Sequence, residues 1–178
     1  MELFFITTNR NKVEEARNIL DSFEITQVDK EYPEIQSNSE GVVLFAMKYL
    51  KEREPFIIED TSFCIKNLNG FPGAFASYVQ KTIGNRGLLK LMDGVEERRA
   101  LFETCIGLSY KGKRVFKGKC YGSIAFEPRG NNGFGFDPIF IPDGHNKTFA
   151  EMSLKEKNQI SHRSKAFRSL KERLESII

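Results

Sequence analysis

Two long β stretches, ALFETCIGLSY from Ala100 to Tyr110 and RVFKGKCYGSIAF from Arg114 to Phe126, flank Lys111-Gly112-Lys113. This hairpin constrains the fold more than any other feature. A short connection built around glycine is antiparallel hairpin chemistry, so the sheet that contains it cannot be wholly parallel. The chain upstream has a different rhythm. Leu3-Phe4-Phe5-Ile6 reads as a buried strand, and Val13, Ala16, Ile19 and Leu20 then recur at helical spacing. A second strand is expected near Ile25 to Val28, followed by a helix capped by Ser39 and carrying Val43, Ala46, Met47 and Leu50. Pro55 stops that helix, and FIIEDTSFCI reads as strand, acidic kink, strand. NLNGFPGAFASYV, with Asn69-Gly70 and Pro72-Gly73, is expected to be a structured loop before a helix holding Leu88, Leu89, Leu91 and Met92. Near the end, Phe167, Leu170, Leu174 and Ile177 lie on one helical face.

Strand–helix alternation combined with a long hairpin predicts an α/β fold with a mixed, partly antiparallel twisted sheet flanked by helices, a smaller lobe forming a central cleft. The 178 residues are about the size of one domain, so residues 1–178 are read as a single unit. No stretch approaches the ~20 apolar residues that cross a bilayer. The opening MELFFITTNRNK has the charge order of a signal peptide reversed, so a cytoplasmic protein with no membrane partner is expected. Cys64, Cys105 and Cys120 are widely spaced and form no CxxC, which argues against a disulfide framework or a zinc site. A net charge of +3 is too mild to indicate a nucleic-acid partner but suits a small anionic ligand.

Four stretches could carry chemistry. Thr7-Thr8-Asn9-Arg10-Asn11-Lys12 sits between the first strand and the first helix, where free N–H groups and the helix dipole favour an anion. A plain helix cap at Thr8 or Asn9 would use the same residues. Glu59 and Asp60 close an apolar run, and their hard oxygens suit Mg²⁺ bridging to phosphates. Strand alternation points them to opposite faces, so only one is expected in a site, and Asp60, next to the Thr61 hydroxyl, is favoured over a pair of solvated turn carboxylates. Ser161 reads as an N-cap that places His162 and Arg163 in a first helical turn, against the dipole. Finally, GNNGFGFDPIF alternates glycines with Phe134 and Phe136, a pattern that neither a strand nor a solvated loop requires. An anion loop, a carboxylate for a hard cation, aromatic rings and fixed donors together make the inventory of a nucleoside triphosphate site.

The order TxNxxK, EDT, GFPGAF, GFGFDPIF, AEMSLKEKNQISHR resembles the inosine triphosphate pyrophosphatase family, the XTP/dITP diphosphatases, from Thr7 to Arg163. The resemblance implies a Mg²⁺-dependent homodimer that cleaves ITP, dITP and XTP between the α and β phosphates, releasing the monophosphate and pyrophosphate. It also implies that Thr7 to Lys12 hold the triphosphate and that Asp60 is the catalytic carboxylate, sharing the metal with Glu34. Asp60 would orient or deprotonate the attacking water, while Lys12 neutralises phosphate charge. Thr61 would lie beside the substrate, and Phe134 would stack on the base in a pocket shaped by Gly135, Phe136 and Asp137. Lys157, His162 and Arg163 would meet the purine. Asp60-Thr61 stands where the family usually has aspartate-serine, and Phe75-Ala76 where it has tyrosine-serine. A pyrophosphatase for another modified or standard nucleotide, and a non-catalytic nucleotide sensor, are the other readings.

Overall fold

The computed structural model describes residues 1–33 and 35–177. In chain order the elements are β1 (Glu2–Ile6), α1 (Arg10–Ile19), β2 (Glu24–Val28), α2 (Ser39–Tyr49), β3 (Phe56–Ile65), β4 (Pro72–Gly73), α3 (Ala76–Thr82) and α4 (Gly84–Leu91). There follow β5 (Arg99–Ser109), β6 (Lys113–Ile124), β7 (Phe140–Pro142), α5 (Leu154–Ile160) and α6 (His162–Glu175). Among the described residues the strands form one mixed sheet in the order β2-β1-β3-β5-β6-β7, with β4 against the far end of β3. β1 runs parallel to β2 and β3, while β3, β5, β6 and β7 pair antiparallel in succession.

Both faces of the near half of the sheet are covered, which is why β1 is apolar without interruption. Alternation sends Leu3, Phe5 and Ile57 to a core shared with Ala16 of α1, with Leu20 just past its end and with Phe167, Leu170 and Leu174 of α6. Ile6, Phe56 and Ile58 belong to the opposite face, against Val43, Ala46 and Met47 of α2. The far half builds a third core: Phe63 of β3 and Phe102 of β5 stack at 4.3 Å, enclosed by Phe136, Phe140, Phe149, Leu88 and Met92. This third core is the smaller lobe.

Three local expectations change. Asn38 caps α2, its Oδ1 accepting from Gly41 N–H at 2.9 Å, and Ser39 is the first helical residue. The segment Phe56–Ile65 is one continuous strand, because its register with β5 runs unbroken from Phe56↔Ser109 to Ile65↔Ala100 and leaves no room for a kink. Helix α3 begins inside the stretch expected to be loop. Helix α5 was not foreseen, although Ser153 and Glu156 form a reciprocal capping box in front of it.

The approach of α6 to the sheet depends on one glycine. A Cβ on Gly118 of β6 would collide with the His162 carbonyl oxygen and the Ala166 nitrogen, both backbone atoms of α6. Gly118→Ala is therefore expected to cost about 1–3 kcal/mol, as overpacking does, and to reduce activity by displacing His162 and Arg163. Denaturant unfolding beside a kinetic assay checks this; unchanged stability would mean that α6 does not rest on this strand as closely as its atoms indicate.

Candidate active site

β1 pairs with β3 only as far as Ile57, and β4 rejoins β3 at Phe63. Between these points Ile58–Ser62 are laddered on one side only, to β5. A cavity of about 850 Å³ opens against this gap. It lies at the carboxyl ends of the parallel strands β1 and β2, where open α/β sheets accept ligands.

Thr7, Thr8, Asn9, Arg10 and Lys12 border the cavity, and Asn11 does not. Asn9 is the N-cap of α1: its Oδ1 accepts from the N–H groups of Asn11 at 3.0 Å and Lys12 at 3.4 Å. Thr7 Oγ1 accepts from Asn9 N–H at 3.1 Å. The cap and the anion loop are thus the same residues. Lys12 Nζ crosses the gap and donates to the Glu59 carbonyl at 3.2 Å, with Glu59 Oε1 at 3.4 Å. Glu59, Asp60 and Thr61 all border the cavity, although strand alternation had been expected to admit only one carboxylate. The open edge of β3 explains this, since both faces of the strand are reachable through it.

Beneath the wall runs a buried chain of charges. Arg163 Nε donates to Glu59 Oε2 at 2.9 Å and Nη2 to Glu59 Oε1 at 3.1 Å, while Nη1 reaches Glu15 Oε2 at 2.6 Å. Lys157 Nζ lies 2.9 Å from Glu15 Oε1 and 2.6 Å from Asp137 Oδ2. Burial by itself would raise the Glu59 carboxyl, but Arg163 and Lys12 outweigh it and hold the group down at about 2. Glu15 is lowered in the same way: burial opposes ionisation, and Arg163 and Lys157 overcome it. For Asp137 burial prevails over Lys157 and its carboxyl is raised. His162 is pushed well below its ordinary value by burial, then by Arg163 and Lys157, so its ring is neutral. That ring stacks on Phe102 at 4.4 Å and borders the cavity, and its Nδ1 finds no partner among the described protein atoms.

The aromatic loop is fixed by the same chain. Asp137 Oδ2 accepts the Phe134 N–H at 2.9 Å, and Gly133, at φ +72°, leaves the space that this carboxylate fills. Gly135, at φ +64°, presents its carbonyl to Asn85 Nδ2 at 3.1 Å. Phe134 has Lys157 Nζ 5.1 Å and Arg163 Cζ 5.2 Å from its ring centre. Phe136 is buried and stacks on Phe63 at 4.8 Å, so it props the lobe as well as bordering the cavity.

Most residues expected at the site therefore do converge. Lys157 is not on the wall; its ammonium is turned to Glu15 and Asp137 behind Phe134. Arg163 is on the wall but has four of its five N–H donors engaged, the fourth with Thr61 Oγ1 at 3.4 Å. Glu34, expected as a metal ligand, lies outside the described residues. Sequence reasoning missed Glu15, whose only signal was a carboxylate three residues after Lys12, on the buried side of α1. It also missed Lys30, Tyr32 and the α3 residues Ser77, Gln80 and Lys81, which complete the wall.

The arrangement offers a cationic, amide-rich end, a carboxylate at the middle and an aromatic end. The Ham1 family pattern matches residues 3–173. The dITP/XTP pyrophosphatase of Pyrococcus horikoshii is 52% identical over 175 residues, 95% of this chain and 94% of that protein. The dITP/XTP pyrophosphatase of Thermococcus kodakarensis is 46% identical, covering 94% of each. Among solved structures, a Ham1 protein from Coxiella burnetii superposes with a TM-score of 0.86 at 28% identity, covering 99% of both chains.

Proposed function

The chain belongs to the Ham1 family, and from that membership we propose that it hydrolyses dITP, XTP and ITP to the nucleoside monophosphate and pyrophosphate, clearing deaminated purines from the nucleotide pool. The observation that carries this reading is one cavity bordered by the capped start of α1, by Asp60 and by the Phe134 ring. Near-complete coverage of relatives named for this activity supports it.

Thr7 to Lys12 bind the phosphate chain through the dipole of the α1 start, their hydroxyls and the charges of Arg10 and Lys12, a bound phosphate competing with the Asn9 cap for the Asn11 and Lys12 N–H groups. Asp60 orients a water toward the α-phosphorus and accepts its proton on a carboxylate oxygen. The base lies against Phe134, beside Gly135 and the neutral imidazole of His162. Lys157, Asp137 and Glu15 act through Phe134 and Arg163 and hold the aromatic end rigid. The hard carboxylate oxygen of Asp60, bordering the cavity beside the Thr7–Lys12 loop, suits Mg²⁺, which Asp60 would hold together with Glu34 as the family resemblance implies. When bound, Mg²⁺ neutralises phosphate charge. A cytoplasmic homodimer, as the family resemblance implies, completes the reading; among the described residues no helix is long and apolar enough to cross a membrane.

A substrate panel of dITP, XTP, ITP, ATP and GTP with product identification tests the reaction. Monophosphate and pyrophosphate from the first three, with little from the last two, is the expected result. Phe134→Ala is expected to raise KM for ITP by about 5- to 150-fold, since stacking on a base is worth about 1–3 kcal/mol, and to leave tripolyphosphate binding nearly unchanged. Equal losses on both ligands would make Phe134 a packing residue of the loop.

A further inference from the structure

We propose that Lys81 of α3 is an additional binding residue for the outer phosphates, bordering the same cavity as the Thr7–Lys12 loop but carried by a different element. The inference rests on the nucleotide reading above and assigns a residue that the family motifs leave out. Five cations border the cavity, and three are held by carboxylates: Lys12 and Arg163 by Glu59, and Lys30 by Glu52. Arg10 and Lys81 have no carboxylate within 4.0 Å among the described residues. They come from different elements, Arg10 from the first turn of α1 and Lys81 from the last turn of α3.

Charge shared with a protein carboxylate, as in Lys12, is only partly available to a ligand, whereas an ammonium with no carboxylate beside it, on a long flexible stem, can follow a phosphate group as it arrives and leaves. Ser77 and Lys81 are four residues apart on α3 and both border the cavity, so one face of this helix is presented to the ligand. A triphosphate carries several negative charges along its length, and the loop at α1 brings two cations to the cavity, one of them shared with Glu59. Lys81 supplies the missing positive charge. Because this contact is made equally to substrate and to released pyrophosphate, it acts on binding more than on the chemical step.

The test compares Lys81→Ala and Lys81→Arg with the wild type, and uses Lys90→Ala on α4, an exposed lysine that does not border the cavity, to report the generic loss of one charge. Calorimetric titration with inorganic tripolyphosphate reads binding without catalysis. Binding about tenfold weaker in Lys81→Ala, with Lys81→Arg near wild type and Lys90→Ala unchanged, supports the assignment. In kinetics on dITP, KM and the inhibition constant for pyrophosphate should rise together while kcat stays within about threefold. Unchanged tripolyphosphate binding in Lys81→Ala, equal weakening in Lys90→Ala, or no tripolyphosphate binding by the wild type would each overturn it. Tripolyphosphate binding that depends on Lys81 while dITP is not turned over would instead sink the proposed reaction and leave the phosphate site standing.

Discussion

Asp60→Asn is expected to abolish turnover while leaving the fold intact. An amide matches the carboxylate in size but neither takes a proton from water nor neutralises a divalent cation, so the loss should reach at least ~100-fold, the lower range for a general base. Asp60 sits in the unbroken β3–β5 ladder opposite Cys105, which holds its backbone whatever its side chain. A circular dichroism spectrum and a thermal melt like those of the wild type, beside a collapsed kcat, would fit this role. Near-normal kcat would remove Asp60 from the chemistry.

Arg163→Ala is expected to be costly for a different reason. Its guanidinium compensates Glu59 and Glu15, both nearly inaccessible to solvent, and removing it leaves Glu59 to Lys12 and Glu15 to Lys157 alone. Breaking a buried ion pair from one side typically costs about 3–5 kcal/mol, which for a chain of this length lowers Tm by roughly 6–20 °C. A pH series gives the sign of the effect. Glu59 has a folded pKa of about 2, below its unfolded value, so its contribution is present in full above the ordinary carboxylate range and is lost as pH falls through that range toward 2. The wild type should therefore lose stability on acidification, and the Arg163→Ala variant should lose less over the same interval. Identical acid profiles would mean that the pair does not set the Glu59 carboxyl. Because most of the Arg163 donors face protein carboxylates, any preference for a 6-carbonyl base has at most one of its N–H groups to work with.

The elements were legible where one periodicity dominated. The β5–β6 hairpin, the helical stripe of α6 and the buried run of β1 all follow from spacing, because each buries a full face. The acidic interruption of β3 misled for a physical reason: polar residues in mid-strand suggested a break, whereas they mark where the strand passes a ligand cavity between two cores. Helix α3 was hidden by the glycines and proline ahead of it. At the site, the loop at Thr7 and the carboxylate Asp60 were visible as polar residues closing apolar strands, and the ring of Phe134 because its glycine–aromatic alternation suits neither a strand nor a solvated loop. Glu15 was not, because a carboxylate on the buried side of a helix looks like any other helical glutamate until Arg163 and Lys157, more than a hundred residues later, are brought against it. Lys157 and Asp137 are only 20 residues apart, but they lie in separate elements, so nothing in the sequence showed that the ammonium serves Asp137 instead of the cavity.

The gap in pairing along β3 has a mechanical meaning. The two halves of the protein that face each other across the cavity are threaded on the same continuous strands, β3, β5 and β6, so neither can swing away without shearing a ladder of backbone hydrogen bonds. Such a cleft behaves less like a jaw than like a notch in a stiff spring. The rigid-body part of the ordering cost is met once, when the chain folds, and is not charged again to each arriving nucleotide. Discrimination then comes from a shape that exists beforehand, and the adjustable parts are confined to side chains at the rim.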